Sequence, residues 1–338
     1  MAKADSADFA AIAELARRLE AQPALKDVLA EANPRGFEQV LKVAQFPLVR
    51  FQPFGDTLAD GNLCQVGFCQ SKHRQRWVTA GNRGGKTLLA LMEDAADCLG
   101  INLISKTRST RFKPPIDVWV INDTEPMSIE IVQRTFADEV LGPSQLSFGW
   151  ELVRDEVHYS AKGGFRNNYC GFTNGSRIDF KYSSAGREAF QGAKIHKGHF
   201  DEVPPKEVYS ETYARTIDRE GQLVGTCTPI FNRTHGIPWI FQDLYVMRVR
   251  KNIDFHSWSL FHNPHLSDTA KAALVDQWEA DEMDARAYGM FTPVGMKLAF
   301  DRDLIRTLRA AAAPPHTIGW PQRGADGKVR FERVVEAA

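Results

Sequence analysis

The chain has 338 residues, of which 43% are hydrophobic and 25% charged, a composition typical of a globular protein with a large core. Its 42 basic and 42 acidic residues cancel, which excludes an overall field that would attract nucleic acid. Any contact with a polyanion must therefore be local. No apolar run is long enough to cross a bilayer and the N-terminus lacks a signal peptide, so we expect no membrane partner.

Five cysteines at irregular spacing predict reduced thiols, as in a cytoplasm. Their positions are Cys64, Cys69, Cys98, Cys170 and Cys227. Cys64, Cys69 and His73, or His196 and His199, could be combined into a zinc set. Neither spacing is a usual zinc pattern, so we disfavour it.

Residues 1–45 predict a small helical N-terminal appendage. Apolar residues recur at helical spacing from Phe9 to Leu19, and Pro23 and Asn33-Pro34 divide the segment into short helices. The appendage either caps the main domain or offers a surface to a partner subunit, and both interpretations stay open. Residues 46–76 are predicted to be irregular. Within them, one hypothesis is that Gln65 forms hydrogen bonds with the edge of an adenine base, and the alternative is that it is an ordinary loop glutamine.

The next segment fits the phosphate-binding pattern [AG]-x-x-x-x-G-K-[ST]. It reads Ala80-Gly81-Asn82-Arg83-Gly84-Gly85-Lys86-Thr87. An apolar run precedes it and a predicted helix, Thr87 to Cys98, follows. Glycines let backbone N–H groups turn towards a phosphate, the lysine reaches the terminal phosphates, and the threonine hydroxyl ligates magnesium. Arg83 can reach a phosphate or an acid, or it is solvated.

Strands and helices then alternate, which predicts an α/β fold with a mostly parallel central sheet flanked by helices. Asp117 to Ile121 is a buried strand candidate, Pro126 to Leu141 a helix, and Ser176 to Tyr182 a strand. The basic run Lys106 to Lys113 either grips a nucleic-acid backbone or forms a solvated loop.

Two further stretches carry candidate chemistry. Asp201 and Glu202 supply one carboxylate for magnesium and another to orient a water on the γ-phosphate. Their approach, Lys194 to His199, is more polar than a central parallel strand should be, which argues against a deeply placed strand. Leu223 to Cys227 predicts an apolar strand leading to Thr228-Pro229, where hydroxyls can sense the γ-phosphate; an ordinary strand and turn is the alternative.

The order of these pieces resembles the large terminase subunit of tailed bacteriophages, from about Phe51 to Phe300. The resemblance rests on residues 80–87, 186–192, 201–205 and 225–229, with Gly236-Ile237-Pro238-Trp239, Asn263-Pro264 and Tyr288-Gly289-Met290-Phe291 beyond them. It implies a P-loop NTPase of the additional-strand type that hydrolyses ATP with Mg²⁺ and drives DNA into a capsid.

The resemblance also implies roles for single residues. Lys86 and Thr87 would hold phosphate and magnesium, Asp201 would be the magnesium carboxylate, and Glu202 would position the hydrolytic water. Arg83 matches an arginine of the family's phosphate loop.

Arg187 is the candidate arginine finger, reaching the neighbouring subunit's nucleotide, and Arg215 is a weaker rival. Thr226 and Thr228 match the motif thought to couple hydrolysis to DNA movement.

The implied partners are double-stranded DNA, held by its backbone, the portal protein, and the small terminase subunit. We expect a homo-oligomeric ring on the portal, or a monomer in isolation, in the host cell cytoplasm and transiently docked on the procapsid. The alternatives are a non-catalytic nucleotide-binding docking protein and a helicase-like ATPase, which the residues after Pro229 fit poorly.

The chain departs from the family near its end. Large terminases continue into a nuclease domain, whereas residues 301–338 leave no room for one, so we expect a linker or tail there and no nuclease activity. Asp301 and Asp303 are interpreted as linker acids, and a nuclease would be a separate polypeptide or missing. The predicted division is 1–45, 46–300 and 301–338.

Overall fold

The computed structural model describes residues 26, 30–55, 61–231, 239–279, 282–293, 321–323 and 329–331. The chain forms two compact units, Met1–Val294 and Gly295–Ala338. The predicted helix from Phe9 to Leu19, the motif residues 236–238 and the acids Asp301 and Asp303 lie outside the described residues. Within the described residues, no helix is long and apolar enough to span a membrane.

A sheet of seven strands forms the centre of the first unit. Its strands, in chain order, are β1 (Gln75–Ala80), β2 (Asp117–Asn122), β5 (Tyr169–Gly171), β6 (Arg177–Tyr182), β7 (Lys197–Asp201), β8 (Gln222–Cys227) and β10 (Ile253–Trp258). The remaining short strands are β3 (Tyr159–Ser160), β4 (Gly164–Phe165), β9 (Ile230–Phe231), β11 (Thr292–Pro293), β12 (Pro321–Arg323) and β13 (Val329–Phe331).

The spatial order of the seven strands is β10-β1-β8-β7-β2-β6-β5. All neighbours run parallel except β5, which is antiparallel to β6. Strand β8 lies between β1, which leads into the phosphate-binding pattern, and β7, which ends at Asp201. This is the additional strand that the sequence resemblance implies, so the P-loop NTPase fold is confirmed.

The helices cover both faces of the sheet, as a parallel sheet requires. The α-helices of the described residues are α1 (Pro34–Ala44), α2 (Pro47–Arg50), α3 (Cys64–Gln70), α4 (Lys86–Leu99), α5 (125–141, largely π-helical), α6 (Phe148–Glu151), α7 (Lys206–Ile217), α8 (Arg248–Lys251), α9 (Asp268–Val275) and α10 (Met283–Arg286), and a further π-helical segment spans Phe241–Tyr245. Helix α1 starts as predicted, with the Asn33 side chain accepting the Gly36 N–H and Pro34 in the first turn.

Two apolar clusters lie on opposite faces of the sheet. The first joins α4 and α5 to β2 through residues such as Leu91, Val120 and Phe136, and it also includes Val43 and Phe46 from the N-terminal segment. The second packs α7 on the sheet through Trp77, Trp119, Phe200 and Val208. The site described below lies where the parallel strands end, between these layers.

Strand β7 corrects the sequence analysis, which argued against a deeply placed strand. It is central in the sheet, and the side chains of Lys197 and His199 are completely buried. The Lys197 ammonium lies 2.8 Å from Asp94 Oδ1 and 2.7 Å from Asp97 Oδ2, and His199 Nδ1 lies 2.6 Å from Asp94 Oδ2. The polar residues of β7 therefore face acids of α4 instead of water.

The same cluster takes in cations from two other segments. Arg76 of β1 donates two hydrogen bonds to Glu93, at 2.9 and 2.8 Å, and Arg111 donates another at 2.6 Å. Burial alone would raise the pKa of Glu93, but Arg76, Lys197 and Arg111 hold that pKa well below its ordinary value. Burial alone would lower the pKa of Lys197, but the acids of α4 raise it, so its amine stays charged.

The basic run Lys106 to Lys113 contains both buried and exposed residues. Lys106 is buried and donates to the carbonyl oxygens of Phe51 and Leu103, and Arg111 joins the buried cluster. Neither proposed interpretation, a DNA grip or a solvated loop, describes these two residues. Arg108 and Lys113 are exposed.

Replacing Lys197 by methionine should lower the free energy of unfolding by about 3–5 kcal/mol, because it leaves three buried carboxylates without their shared cation. The matched control is Lys194→Met, whose ion pair with Asp218 is exposed and screened by solvent, so its loss should change stability far less. Denaturant unfolding of both variants measures the difference. Equal losses in the two variants would contradict a structural role of the buried cluster.

Candidate active site

The phosphate-binding pattern forms a tight loop between β1 and α4. Arg83 (φ +59°) and Gly85 (φ +74°) are left-handed, and such residues direct backbone N–H groups into an anion-sized concavity. The first N–H groups of α4 have no partner within the helix and add positive potential there. Gly81 must lack a side chain, because a Cβ would lie 2.5 Å from the Ala287 carbonyl oxygen.

Three consecutive carbonyl oxygens of this loop accept hydrogen bonds from side chains. Asn263 Nδ2 donates to Arg83 O at 2.7 Å, Trp258 Nε1 to Gly84 O at 2.8 Å, and Gln65 Nε2 to Gly85 O at 3.3 Å. The loop is thus held from outside by donors of three separate segments.

Lys86 and the acid pair meet at the carboxyl edge of the sheet. Lys86 Nζ donates to Thr228 Oγ1 at 2.8 Å and lies 3.9 Å from Glu202 Oε1. The Thr228 hydroxyl in turn donates to Asn82 Oδ1 at 3.2 Å. Residues from the loop, from the end of β7 and from the end of β8 therefore converge, as the sequence analysis expected.

Asp201 is the centre of a second group of contacts. Its Oδ1 accepts hydrogen bonds from Thr87 Oγ1 at 2.8 Å and Thr226 Oγ1 at 3.0 Å, and its Oδ2 accepts one from Asn122 Nδ2 at 3.3 Å. Sequence reasoning did not identify Asn122. Its signal was available, because a polar residue closes the buried strand β2 next to β7.

These oxygens fit a hard cation such as Mg²⁺. A threonine hydroxyl and a carboxylate are typical magnesium ligands beside a triphosphate. In addition, Asn122 Oδ1 is buried without a hydrogen-bond partner next to Asp201, so an unused oxygen also lies close by. No group of three or more His, Cys, Asp or Glu side chains in the described residues, here or elsewhere, could hold a metal ion, so this site offers one carboxylate beside hydroxyl and amide oxygens.

Glu202 is held in an uncommon backbone conformation, φ +79°, which a side-chain-bearing residue adopts only where surrounding contacts impose it. Its N–H donates to Thr226 O at 2.7 Å, and its Oε2 accepts the Thr228 N–H at 3.1 Å. Desolvation raises the pKa of its carboxyl above the ordinary value, with Lys86 opposing and Asp201 reinforcing the shift. A carboxylate held here can accept a proton or orient a water.

Arg187 lies in a turn after β6, and its side chain is 61% exposed. Its Nε donates to Glu211 Oε2 at 2.9 Å, while Arg215 Nη2 lies 2.9 Å from Glu211 Oε1. Both candidate fingers thus bind one carboxylate of their own chain. Among the contacts of the described residues, none joins Arg187 to the group around Lys86.

The other two candidates have distinct surroundings. The side chain of Gln65 is buried, and its Oε1 accepts the Phe54 N–H at 3.4 Å while Nε2 donates to the loop. Arg83 is exposed, and its backbone oxygen is bound by Asn263. The adenine contact of Gln65 and the phosphate contact of Arg83 stay predictions.

Comparison with known proteins gives a consistent result. Residues 78–237 match the family model described as "Terminase large subunit, T4likevirus-type, N-terminal". The chain is 24% identical over 242 residues to the terminase large subunit of Salmonella phage P22, covering 64% of this chain and 47% of that protein. The chain thus spans about half the length of this curated relative.

Solved structures of large terminases share the fold, including the following two. The large terminase of a thermophilic bacteriophage, in complex with ADP, superposes with a TM-score of 0.52 at 15% identity, covering 68% of this chain and 52% of that one. The large terminase ATPase domain of Thermus phage P74-26 gives a TM-score of 0.50 at 15% identity, covering 73% of this chain and 97% of that domain.

Proposed function

We propose that the chain, whose residues 78–237 match the terminase large-subunit family model, is the ATPase motor that drives double-stranded DNA into a viral procapsid. One observation carries the proposal. The loop lysine, the loop threonine, the acid pair of β7 and the hydroxyl after β8 form one connected group, with Lys86 bonded to Thr228 and Thr87 bonded to Asp201. Such a group is what hydrolysis of a nucleoside triphosphate requires.

The loop would bind the phosphates of ATP through backbone N–H groups, the N-terminus of α4 and Lys86. Thr87 and Asp201 would hold Mg²⁺, with Asn122 beside them, and the ion would neutralise charge on the phosphate oxygens. The large terminase of the thermophilic bacteriophage was solved with ADP, which supports nucleotide as the ligand.

Glu202 would orient the attacking water. Its carboxylate is bound by the Thr228 N–H, and the Thr228 hydroxyl is bound by Lys86. When Lys86 moves towards a phosphate, its bond to this hydroxyl would change in geometry, so the state of the nucleotide would reach Glu202 and the end of β8 through Thr228. We assign to Thr226 and Thr228 the coupling of hydrolysis to DNA movement on this basis.

Arg187 would complete the site of a neighbouring subunit in a ring. Its exposure suits a contact between chains, and Glu211 binds it in the single chain. The proposed partners are DNA held by its backbone, the portal protein and the small terminase subunit, with the complex in the host cytoplasm on a procapsid. We also propose 46–300 as the ATPase domain, 1–45 as an appendage and 301–338 as a linker or tail.

Nucleotide binding tests the proposal directly. Wild-type protein should bind MgADP in isothermal titration calorimetry, and Lys86→Met should weaken binding by roughly 10- to 100-fold, since it removes a charge-assisted contact to phosphate. The control is Lys162→Met, which changes an exposed lysine of the β3–β4 turn. A wild-type protein that does not bind, or equal affinities in both variants, would contradict the proposal.

A further inference from the structure

Side chains from beyond the family-matched region donate hydrogen bonds to the phosphate loop. We propose that Trp258 and Asn263 are positioning residues for the nucleotide phosphates, with Gln65 as a third support, because together they bind three consecutive carbonyl oxygens of the loop. This inference rests on the proposed function, since it concerns the same phosphate site. It assigns to Gln65 a contact with the loop backbone, independently of the predicted adenine contact.

The geometry of the peptide unit links these carbonyl contacts to the N–H groups of the loop. In a trans peptide the C=O of one residue and the N–H of the next point in opposite directions across a plane. Binding of Gly84 O by Trp258 and of Gly85 O by Gln65 therefore turns the N–H groups of Gly85 and Lys86 to the other side of the loop. The preceding peptide is fixed at both ends, with Arg83 O bound by Asn263 and the Gly84 N–H donating to Gly81 O at 3.0 Å.

Without these donors the loop has other conformations available. Gly84 and Gly85 are adjacent glycines, whose peptides rotate at little steric expense. A rotation that brought a carbonyl oxygen into the concavity would place negative charge against a phosphate. Apparent affinity falls in proportion to the population of the competent conformation, so side chains that keep the carbonyls outward raise affinity without touching the nucleotide.

The two main donors are themselves rigid. Trp258 is 1% exposed and ends β10, where it pairs with Ala80 of β1, and its backbone oxygen also accepts the Gly81 N–H at 3.2 Å. Asn263 is 8% exposed, and its Oδ1 accepts the His265 N–H at 2.9 Å, which leaves Nδ2 as the donor towards the loop. Burial therefore restricts rotation of the Trp258 indole, and the Asn263 amide cannot reorient without losing its bond to the His265 N–H.

The chain offers a matched control for each donor. Trp150 Nε1 donates to Gly142 O at 3.1 Å, an indole-to-carbonyl bond outside the loop. Asn174 Nδ2 donates to Cys98 O at 2.8 Å while its Oδ1 accepts the Ser176 N–H, which repeats the arrangement of Asn263 at the other end of α4. Phenylalanine keeps most of the tryptophan ring without its N–H, and serine can still accept the N–H two residues on.

The experiment compares Trp258→Phe with Trp150→Phe, and Asn263→Ser with Asn174→Ser. Calorimetry with MgADP should give dissociation constants about 3- to 10-fold higher for the two loop variants and within about twofold of wild type for the controls. KM for ATP should rise in parallel while kcat changes less than KM, because bound phosphate itself orders the loop. Denaturant unfolding of all four variants measures any general loss of stability.

The outcomes separate the two proposals. Wild-type protein that fails to bind MgADP overturns the proposed function and this inference with it. Wild-type binding with unchanged affinity in Trp258→Phe and Asn263→Ser, or an equal change in the controls, overturns the inference alone. If Asn263→Ser does not fold, the tryptophan pair decides, since both variants keep an aromatic ring in place.

Discussion

Glu202→Gln should bind MgATP with nearly wild-type affinity and hydrolyse it at least about 100-fold more slowly. The amide keeps the size of the side chain and can still accept the Thr228 N–H, but it no longer orients a water as an anion or takes up its proton. Single-turnover hydrolysis of radiolabelled ATP, with binding measured separately, tests this expectation. Glu207→Gln, at an exposed position of α7, serves as the control.

The pH dependence of hydrolysis gives a second measure of the same residue. Because desolvation raises the pKa of Glu202, the carboxyl protonates at a higher pH than an ordinary glutamate does. Its ionised form is the active one, so wild-type kcat/KM, which reports the nucleotide-free enzyme, should decline on acidification from a higher pH than an unperturbed glutamate would produce. A Glu202→Gln rate equal to wild type would refute the mechanism, and tight binding without turnover in wild type would indicate a docking protein instead.

Arg187→Ala should abolish most of the turnover that depends on assembly, lowering it by about three to five orders of magnitude. An arginine supplied across a subunit boundary stabilises charge on the transferring phosphate, which an isolated chain lacks. The specific activity of wild type should therefore increase with protein concentration. Mixtures of wild type and Arg187→Ala should lose more activity than the variant fraction accounts for.

Arg215→Ala is the informative comparison, because Arg215 and Arg187 bind the same carboxylate of Glu211. Loss of Arg215 should leave most of the concentration dependence, since its side chain is less exposed than that of Arg187. A steady-state ATPase series over protein concentration measures both variants. A rate that is independent of concentration and survives Arg187→Ala would contradict the assigned role.

Much of the fold was predictable because its signals are local. The turn from β1 into α4 and the strands β2, β6 and β8 follow from short apolar runs and punctuation by glycine and proline. Strand β7 was misjudged because the partners of Lys197 and His199 are acids of α4, about a hundred positions earlier. The local sequence around β7 shows only polar residues. It does not show that side chains of α4 neutralise their charge.

In the candidate site too, some residues were predictable from local sequence patterns and others were not. The convergence of Lys86, Asp201 and Glu202 was expected, since each lies in a recognisable pattern at a strand end. Asn122 has only a weak signal, a polar residue at the end of a buried strand, and Trp258 has none. Their contacts arise only from the register of β2 beside β7 and of β10 beside β1, which the order of elements along the chain does not reveal.

The position of β10 determines which C-terminal truncations should keep the sheet intact. A fragment ending at residue 237, the boundary of the family match, would remove β10 and leave the fully buried strand β1 as an open sheet edge. Exposed edges of this kind recruit other chains and aggregate. Such a fragment would also lack Gly289. This glycine packs closely on β1, because a Cβ at position 289 would lie 2.6 Å from the Cα atom of Ala80. The smallest soluble truncation that retains an intact nucleotide pocket should therefore extend past Gly289.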